Sequence, residues 1–157
     1  MRTWQDGAVD LIRLSDGGNS VRVRVVGRRA AGILPLHDLL DAELYVESSF
    51  ISGRLAICFD PGDLQAWSQA LDALATGHDI EWLDQGNDPV IKVEFSHDTQ
   101  GDITVLVEDG SGSGAVAAIP IALDEGWIAE QRELLQEVLQ AWPSEVLETS
   151  PGAYEWR

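Results

Sequence analysis

The chain has 157 residues, 45% of them hydrophobic, and this is enough to fill one core without disulfides or metal ions. Its 27 acidic and 10 basic side chains give a formal net charge of -17, which argues against direct nucleic-acid binding because that binding depends on basic groups that neutralise phosphates. The single cysteine excludes an intrachain disulfide, and no apolar run approaches the roughly 20 residues of a membrane span. We therefore expect a cytoplasmic protein that does not associate with membranes.

The charge is unevenly distributed along the chain. Residues 1–60 carry seven basic and eight acidic side chains, whereas residues 61–157 carry three and nineteen. One interpretation is a solvated, self-repelling surface that favours solubility, and the other is a docking face for a basic partner.

The first third of the chain predicts four strands. Residues 9–14 and 20–26 flank a turn rich in glycine and asparagine, and Val21, Val23 and Val25 alternate with arginines, as expected when one face of a strand is buried. Residues 27–40 show no periodicity and predict a loop with a helical turn near its end. Residues 42–46 and 50–59 predict two more strands, and Cys58 in the last of these is expected to be a buried, reduced thiol.

A helix between Asp60 and Gly77 has complete start and stop signals. Asp60 suits the N-cap, Pro61 the first helical position, and Gly77 the C-terminal stop. Leucines and Trp67 recur at three- and four-residue spacing and form one apolar stripe, which predicts that this helix packs against a sheet.

The second half repeats the order of strands followed by a helix. Residues 80–83, 90–95, 103–107 and 115–123 predict strands, and Pro120 makes the last of them an edge strand or ends it early. A helix is predicted from about Asp124 to Trp142. Short turns favour antiparallel pairing, so we predict an α+β fold of about eight strands and two amphipathic helices in the order ββββ-α-ββββ-α. Residues 1–143 would form one domain, and residues 144–157 an irregular tail that docks through Tyr154 and Trp156.

No catalytic, cofactor or metal site is predicted. The three histidines are far apart and lack a second ligand at zinc-binding spacing, and the glycine-rich loop at residues 110–114 lacks the lysine and the following helix of a phosphate-binding loop. Asp84 and Asp88, beside Trp82, could serve acid–base chemistry or hold a divalent cation, but Asp is also favoured in turns.

Four arginines, Arg22, Arg24, Arg28 and Arg29, form a basic group in the first half. They could bind an anion, or they could pair across the sheet with Glu43 and Glu47, and the cross-strand pairing is the interpretation we favour.

The pattern L-x-x-W-x-x-x-L-x-x-L-x-x-G, here Leu64 to Gly77, followed by Trp82, Asp84 and Pro89, resembles a group of short actinobacterial proteins of unknown function. That group is similar to WapI-like immunity proteins, which inhibit secreted toxins. The resemblance implies a binding role and transfers no catalytic residue.

The favoured hypothesis is therefore a non-enzymatic, immunity-type inhibitor whose acidic surface binds a basic, toxin-like protein. Its expected partner-binding residues are Trp82, Asp84, Asp88, Glu108 and Asp109. The alternatives are a small-ligand protein or enzyme with a pocket near Trp82, and a self-associating subunit such as a homodimer that uses an edge strand.

Overall fold

The computed structural model describes residues 8–83, 89–98, 101–110 and 112–157. Its first sheet is an antiparallel meander in the order β1-β2-β3-β4. The strands are β1 (Val9–Ser15), β2 (Ser20–Arg28), β3 (Leu40–Glu47) and β4 (Ser52–Phe59), and a short 3-10 helix (Leu34–Leu36) lies between β2 and β3. The predicted alternation holds, since Val21, Val23 and Val25 are buried. Cys58 is a reduced thiol, partly rather than fully buried.

Helix α1 (Pro61–Ala75) begins and ends where its sequence signals predict. The Asp60 carboxylate accepts a hydrogen bond from the Asp63 backbone N–H at 2.9 Å, and the Asp63 carboxylate accepts one from the Asp60 N–H at 3.0 Å. This reciprocal pair is a capping box, which satisfies two N–H groups at the helix start. Gly77 ends the helix with a φ of 85°, a conformation that glycine adopts without strain.

The second sheet is also an antiparallel meander, in the order β5-β6-β7-β8, and a second helix follows it. The elements are β5 (Ile80–Trp82), β6 (Val90–Phe95), β7 (Asp102–Glu108), β8 (Val116–Ala122) and α2 (Trp127–Ala141). As predicted, β8 is an edge strand. The β1–β2 turn covers part of that edge: the Asn19 amide donates to the Pro120 carbonyl at 2.7 Å, and the Asp16 carboxylate accepts from the Ala122 N–H at 3.1 Å.

One hydrophobic core joins both sheets and both helices, and it includes Trp67, Trp82 and Phe59. The predicted α+β class, antiparallel pairing and ββββ-α-ββββ-α order are therefore confirmed, with a further hairpin at the end. None of the helices in the described part of the chain is long and apolar enough to cross a membrane.

The C-terminal residues form a β-hairpin, so the prediction of an irregular tail was wrong. Strands β9 (Val146–Ser150) and β10 (Ala153–Trp156) pair antiparallel around a turn that contains Gly152 at a φ of 80°. The Asp38 carboxylate accepts hydrogen bonds from the backbone N–H groups of Glu145 and Val146, both at 3.0 Å, and Trp156 lies edge-on to His37 with 4.8 Å between ring centroids. The hairpin thus packs on the connection between β2 and β3.

Candidate functional site

Trp82 is a core residue rather than an aromatic group on the surface. It is 2% exposed, and its ring centroid lies 5.5 Å from that of Phe59 and 5.3 Å from that of Trp67. Its indole Nε1 donates to the Asp63 carbonyl at 2.8 Å, which ties β5 to the first turn of α1. Trp82 therefore offers almost no ring surface to a partner or to a ligand pocket. Asp84 and Asp88, predicted beside it, lie outside the described residues.

Asp109 organises the loop between β7 and β8. Its carboxylate accepts hydrogen bonds from the Ser113 backbone N–H at 2.9 Å and from the Ser113 hydroxyl at 3.0 Å. These bonds, together with one from the Gly112 N–H, lower the pKa of Asp109 below its ordinary value because they favour the charged form. The residue therefore has a local structural role in addition to the predicted partner contact.

Glu108 belongs to a larger group that points away from the core. Along β5 to β8, buried residues alternate with residues of the opposite face, and the cross-strand register aligns the latter in rows. We call this surface the acidic face; its residues are Glu81, Val90, Lys92, Glu94, Asp102, Thr104, Leu106, Glu108, Val116, Ala118, Pro120 and Ala122. It thus carries four carboxylates and one ammonium group.

Lys92 lies among three of these carboxylates. Its Nζ is 2.8 Å from Glu108 Oε2. The hydrogen bond to Glu108 is the main cause that raises the pKa of Lys92, and the charges of Glu81 and Glu94 raise it further. Within the described part of the chain, Glu81 and Glu94 make no ion pair of their own within 4.0 Å. Asp102 also makes no such ion pair among the described residues, so Glu81, Glu94 and Asp102 are the surplus negative charge of the face.

An apolar column borders the carboxylates. Val116 on β8 is 56% exposed, and Ala118, Pro120 and Ala122 follow it on the same side of the strand, all exposed. A surface with acidic groups beside small apolar side chains is complementary to a partner surface that combines basic and apolar residues.

The arginines of β2 pair differently from the prediction. Arg24 lies 3.3 Å from the buried Asp10, Arg28 lies 3.1 Å from Asp38, and Arg29 lies 2.9 Å from Asp41. The predicted pairing with Glu43 and Glu47 is therefore wrong for these three. Arg22 faces Tyr45 instead, with its Cζ 4.8 Å from the ring centroid. Asp10 on β1, Asp38 in the β2–β3 connection and Asp41 at the start of β3 therefore take the place of Glu43 and Glu47 as partners of these guanidinium groups.

Sequence reasoning did not identify Glu81 and Glu94 as candidate partner contacts. Glu94 alternates with the buried Val93 and the partly buried Phe95, a signal that was present, whereas β5 is only three residues long and shows too little alternation to orient Glu81. Glu94 lies two residues from Lys92 on β6, but the position of Glu81 depends on the β5–β6 register, which pairs it with Lys92.

Among the described residues, no group of three or more histidine, cysteine, aspartate or glutamate side chains could hold a metal ion. The carboxylates of the acidic face attract cations, and the neighbouring methyl groups of β8 exclude water.

Comparison with known proteins supports the fold and assigns a family. The structure is similar to the solved structure of the plant transcriptional regulator PBF-2, with a TM-score of 0.51, 14% identity, and coverage of 86% of this chain and 82% of that chain. At this identity the similarity concerns the fold. No curated protein gave a significant match. The model of the family of unknown function DUF5959 matches residues 9–143, so both sheets and both helices lie within it, and the chain belongs to this family.

Proposed function

We propose that this protein is a non-enzymatic binding protein that covers a basic protein partner with its acidic face. The observation that carries the proposal is the arrangement around Lys92, where a single ammonium group is surrounded by Glu81, Glu94 and Glu108. A partner that brought lysine or arginine side chains to this face would supply the cations that the chain itself lacks there.

The charge of the whole molecule supports the same role. Residues 61–157 carry nineteen of the 27 acidic side chains but only three of the ten basic ones, so this part of the chain has a strongly negative potential. Such a potential speeds the encounter with a basic protein, by about ten- to a thousandfold at low salt. The exposed apolar column of β8 would then contribute contact area once the complex has formed.

Among binding proteins, an immunity-type inhibitor is the kind we favour, in line with the WapI-like resemblance described above. An inhibitor of this kind needs a rigid surface and no catalytic group, because it acts by covering its target. The acidic face lies on a four-stranded sheet whose opposite side is part of the core, and this provides the required rigidity.

The test uses the protein encoded by the adjacent gene. If the proposal is correct, that protein is a basic toxin, co-expression of this chain protects the cell, and the purified pair associates more slowly as salt is added. The double variant Glu81→Gln/Glu94→Gln should slow association and weaken protection. A matched double variant on α2, Glu133→Gln/Glu137→Gln, removes the same charge from another exposed surface.

A neighbouring protein that is not toxic, or that does not bind, would contradict the immunity role. Binding that is weakened equally by both double variants would show that total charge matters and that the acidic face is not the contact surface.

A further inference from the structure

The outward side of the first sheet carries a different kind of surface. On the outward side of the first sheet, the register places Arg13 opposite Arg22, Arg22 opposite Tyr45, and Tyr45 opposite Arg54. We call these four residues the arginine row. Three of the ten basic side chains of this acidic chain therefore lie in one line across four strands.

The row includes an arrangement that costs stability. Like charges directly opposite each other on neighbouring strands repel, and Arg13 and Arg22 are such a pair. Arg13 is compensated, since its guanidinium lies 3.0 Å from Asp10 and 3.7 Å from Glu130. Arg54 lies 3.9 Å from Glu43. Arg22 has no carboxylate within 4.0 Å among the described residues.

Arg22 is held in place although its charge is uncompensated. Its guanidinium packs on the Tyr45 ring, and the Tyr45 hydroxyl donates to Glu43, which fixes the ring. The Arg22 Nε is buried and donates no hydrogen bond to any described residue. A buried donor without an acceptor costs free energy, and a small rotation of the guanidinium toward an anion in the adjacent groove would give Nε an acceptor.

A groove of about 390 Å³ lies at this position. Arg13, Arg22 and Tyr45 line it, together with the serines of the β1–β2 pair, Ser15 and Ser20, and with Glu47. One carboxylate oxygen of Glu47 accepts from the Ser52 hydroxyl at 2.5 Å, so part of its charge is directed toward β4. Two cationic groups and two hydroxyls thus face one concave surface.

We infer that this groove binds the oxyanion group of a small molecule, with Arg22 as the main contact. The planar guanidinium, oriented by Tyr45, presents a fixed set of N–H donors that matches a phosphate or carboxylate group. Ser15 and Ser20 would donate further hydrogen bonds, and Arg13 would balance the charge from the side of β1. This site lies on the first sheet and is independent of the acidic face on the second.

The test follows the Arg22 Nε–H signal by heteronuclear NMR while inorganic phosphate, or acetate in a second series, is added at constant ionic strength. A saturable shift of the Arg22 signal is expected with at least one of the two anions, and the anion that binds more tightly identifies the phosphate or carboxylate source. Arg22→Gln should weaken binding about tenfold or more, since it removes a charge-assisted hydrogen bond. Arg132→Gln is the matched control, because Arg132 pairs with Asp72 between the helices, away from the groove.

The proposal is overturned if neither anion saturates the Arg22 signal, or if Arg22→Gln binds as well as the Arg132→Gln control. The wild-type titration decides the question even if the Arg22 variant folds poorly, because it depends on the unaltered protein alone.

Discussion

The side-chain amide of Gln131 pairs with both backbone groups of Arg13, across 118 residues of sequence. Its Oε1 accepts from the Arg13 N–H at 2.8 Å, and its Nε2 donates to the Arg13 carbonyl at 3.0 Å. Gln131 is completely buried on α2, and β1 is an edge strand. The amide therefore supplies β1 with hydrogen-bond partners that a neighbouring strand would otherwise provide, and it fixes α2 along that edge.

Gln131→Leu is expected to destabilise the protein by about 2–4 kcal/mol, because it leaves one donor and one acceptor of β1 without partners beneath the helix. Urea unfolding measures this change as a lower midpoint at an unchanged slope. Gln136→Leu, at an exposed position of the same helix, is the control and should change stability by about 0.5 kcal/mol or less. Equal effects of the two substitutions would show that the Arg13 contact contributes nothing.

Local signals predicted α1 well, since the cap, the proline, the leucine spacing and Gly77 all lie within one short stretch. The ion pairs of β2 could not be predicted in the same way. The Arg24–Asp10 pair depends on an irregularity in β1 between Asp10 and Ile12, which leaves Asp10 opposite Arg24, and the Arg28–Asp38 pair depends on how the β2–β3 connection folds back. Sequence alternation assigns faces of strands, but it does not reveal bulges or the loops that fold back over a sheet.

The residues of the candidate site were likewise only partly predictable from local sequence signals. The charge asymmetry assigned most of the acidic groups to residues 61–157, which include the acidic face, but Trp82 could not be placed from sequence because β5 has only three residues. The C-terminal hairpin was missed although Pro151 and Gly152 are typical of a turn, because Val146–Ser150 does not alternate apolar and polar residues and so indicates no buried face.

Trp82→Phe is expected to destabilise the fold by about 1–3 kcal/mol, because the Asp63 carbonyl loses its indole donor and the aromatic cluster loses volume. Calorimetric or urea unfolding measures this loss. Trp156→Phe, at a half-exposed ring of the terminal hairpin, should have a smaller effect on global stability. A Trp82 variant with wild-type stability would contradict the core role that the structure gives this ring.

Asp38 makes docking of the C-terminal hairpin dependent on pH. Burial raises the pKa of Asp38, but the N–H groups of Glu145 and Val146, the Ser144 hydroxyl and the Arg28 charge outweigh it, so the pKa lies below the ordinary 3.8. The folded state therefore favours the carboxylate. Its contribution to stability is complete above the unfolded pKa of 3.8 and is lost as pH falls through the lower folded value.

Acidification should consequently release the hairpin, and the indole signal of Trp156 in NMR spectra reports its contact with His37. Asp38→Asn should loosen the hairpin already at neutral pH and remove most of the acid dependence. Asp98→Asn, on an exposed turn, should leave the transition unchanged. A Trp156 signal that moves with pH in the same way in the Asp38 variant would assign the transition to another group.

Substitution of Lys92 tests the electrostatics of the acidic face in the isolated protein, in the absence of a partner protein. Its ammonium group offsets the repulsion among Glu81, Glu94 and Glu108, so Lys92→Gln should lower the urea midpoint at low salt, and added salt should largely restore it because the carboxylates are exposed and screened. Arg132→Gln removes one positive charge from the helix surface, where Arg132 has one carboxylate partner, and should depend less on salt. If Lys92→Gln has no salt-dependent effect, the three carboxylates do not act as one cluster, and the acidic face loses the charge density on which the proposed partner binding depends.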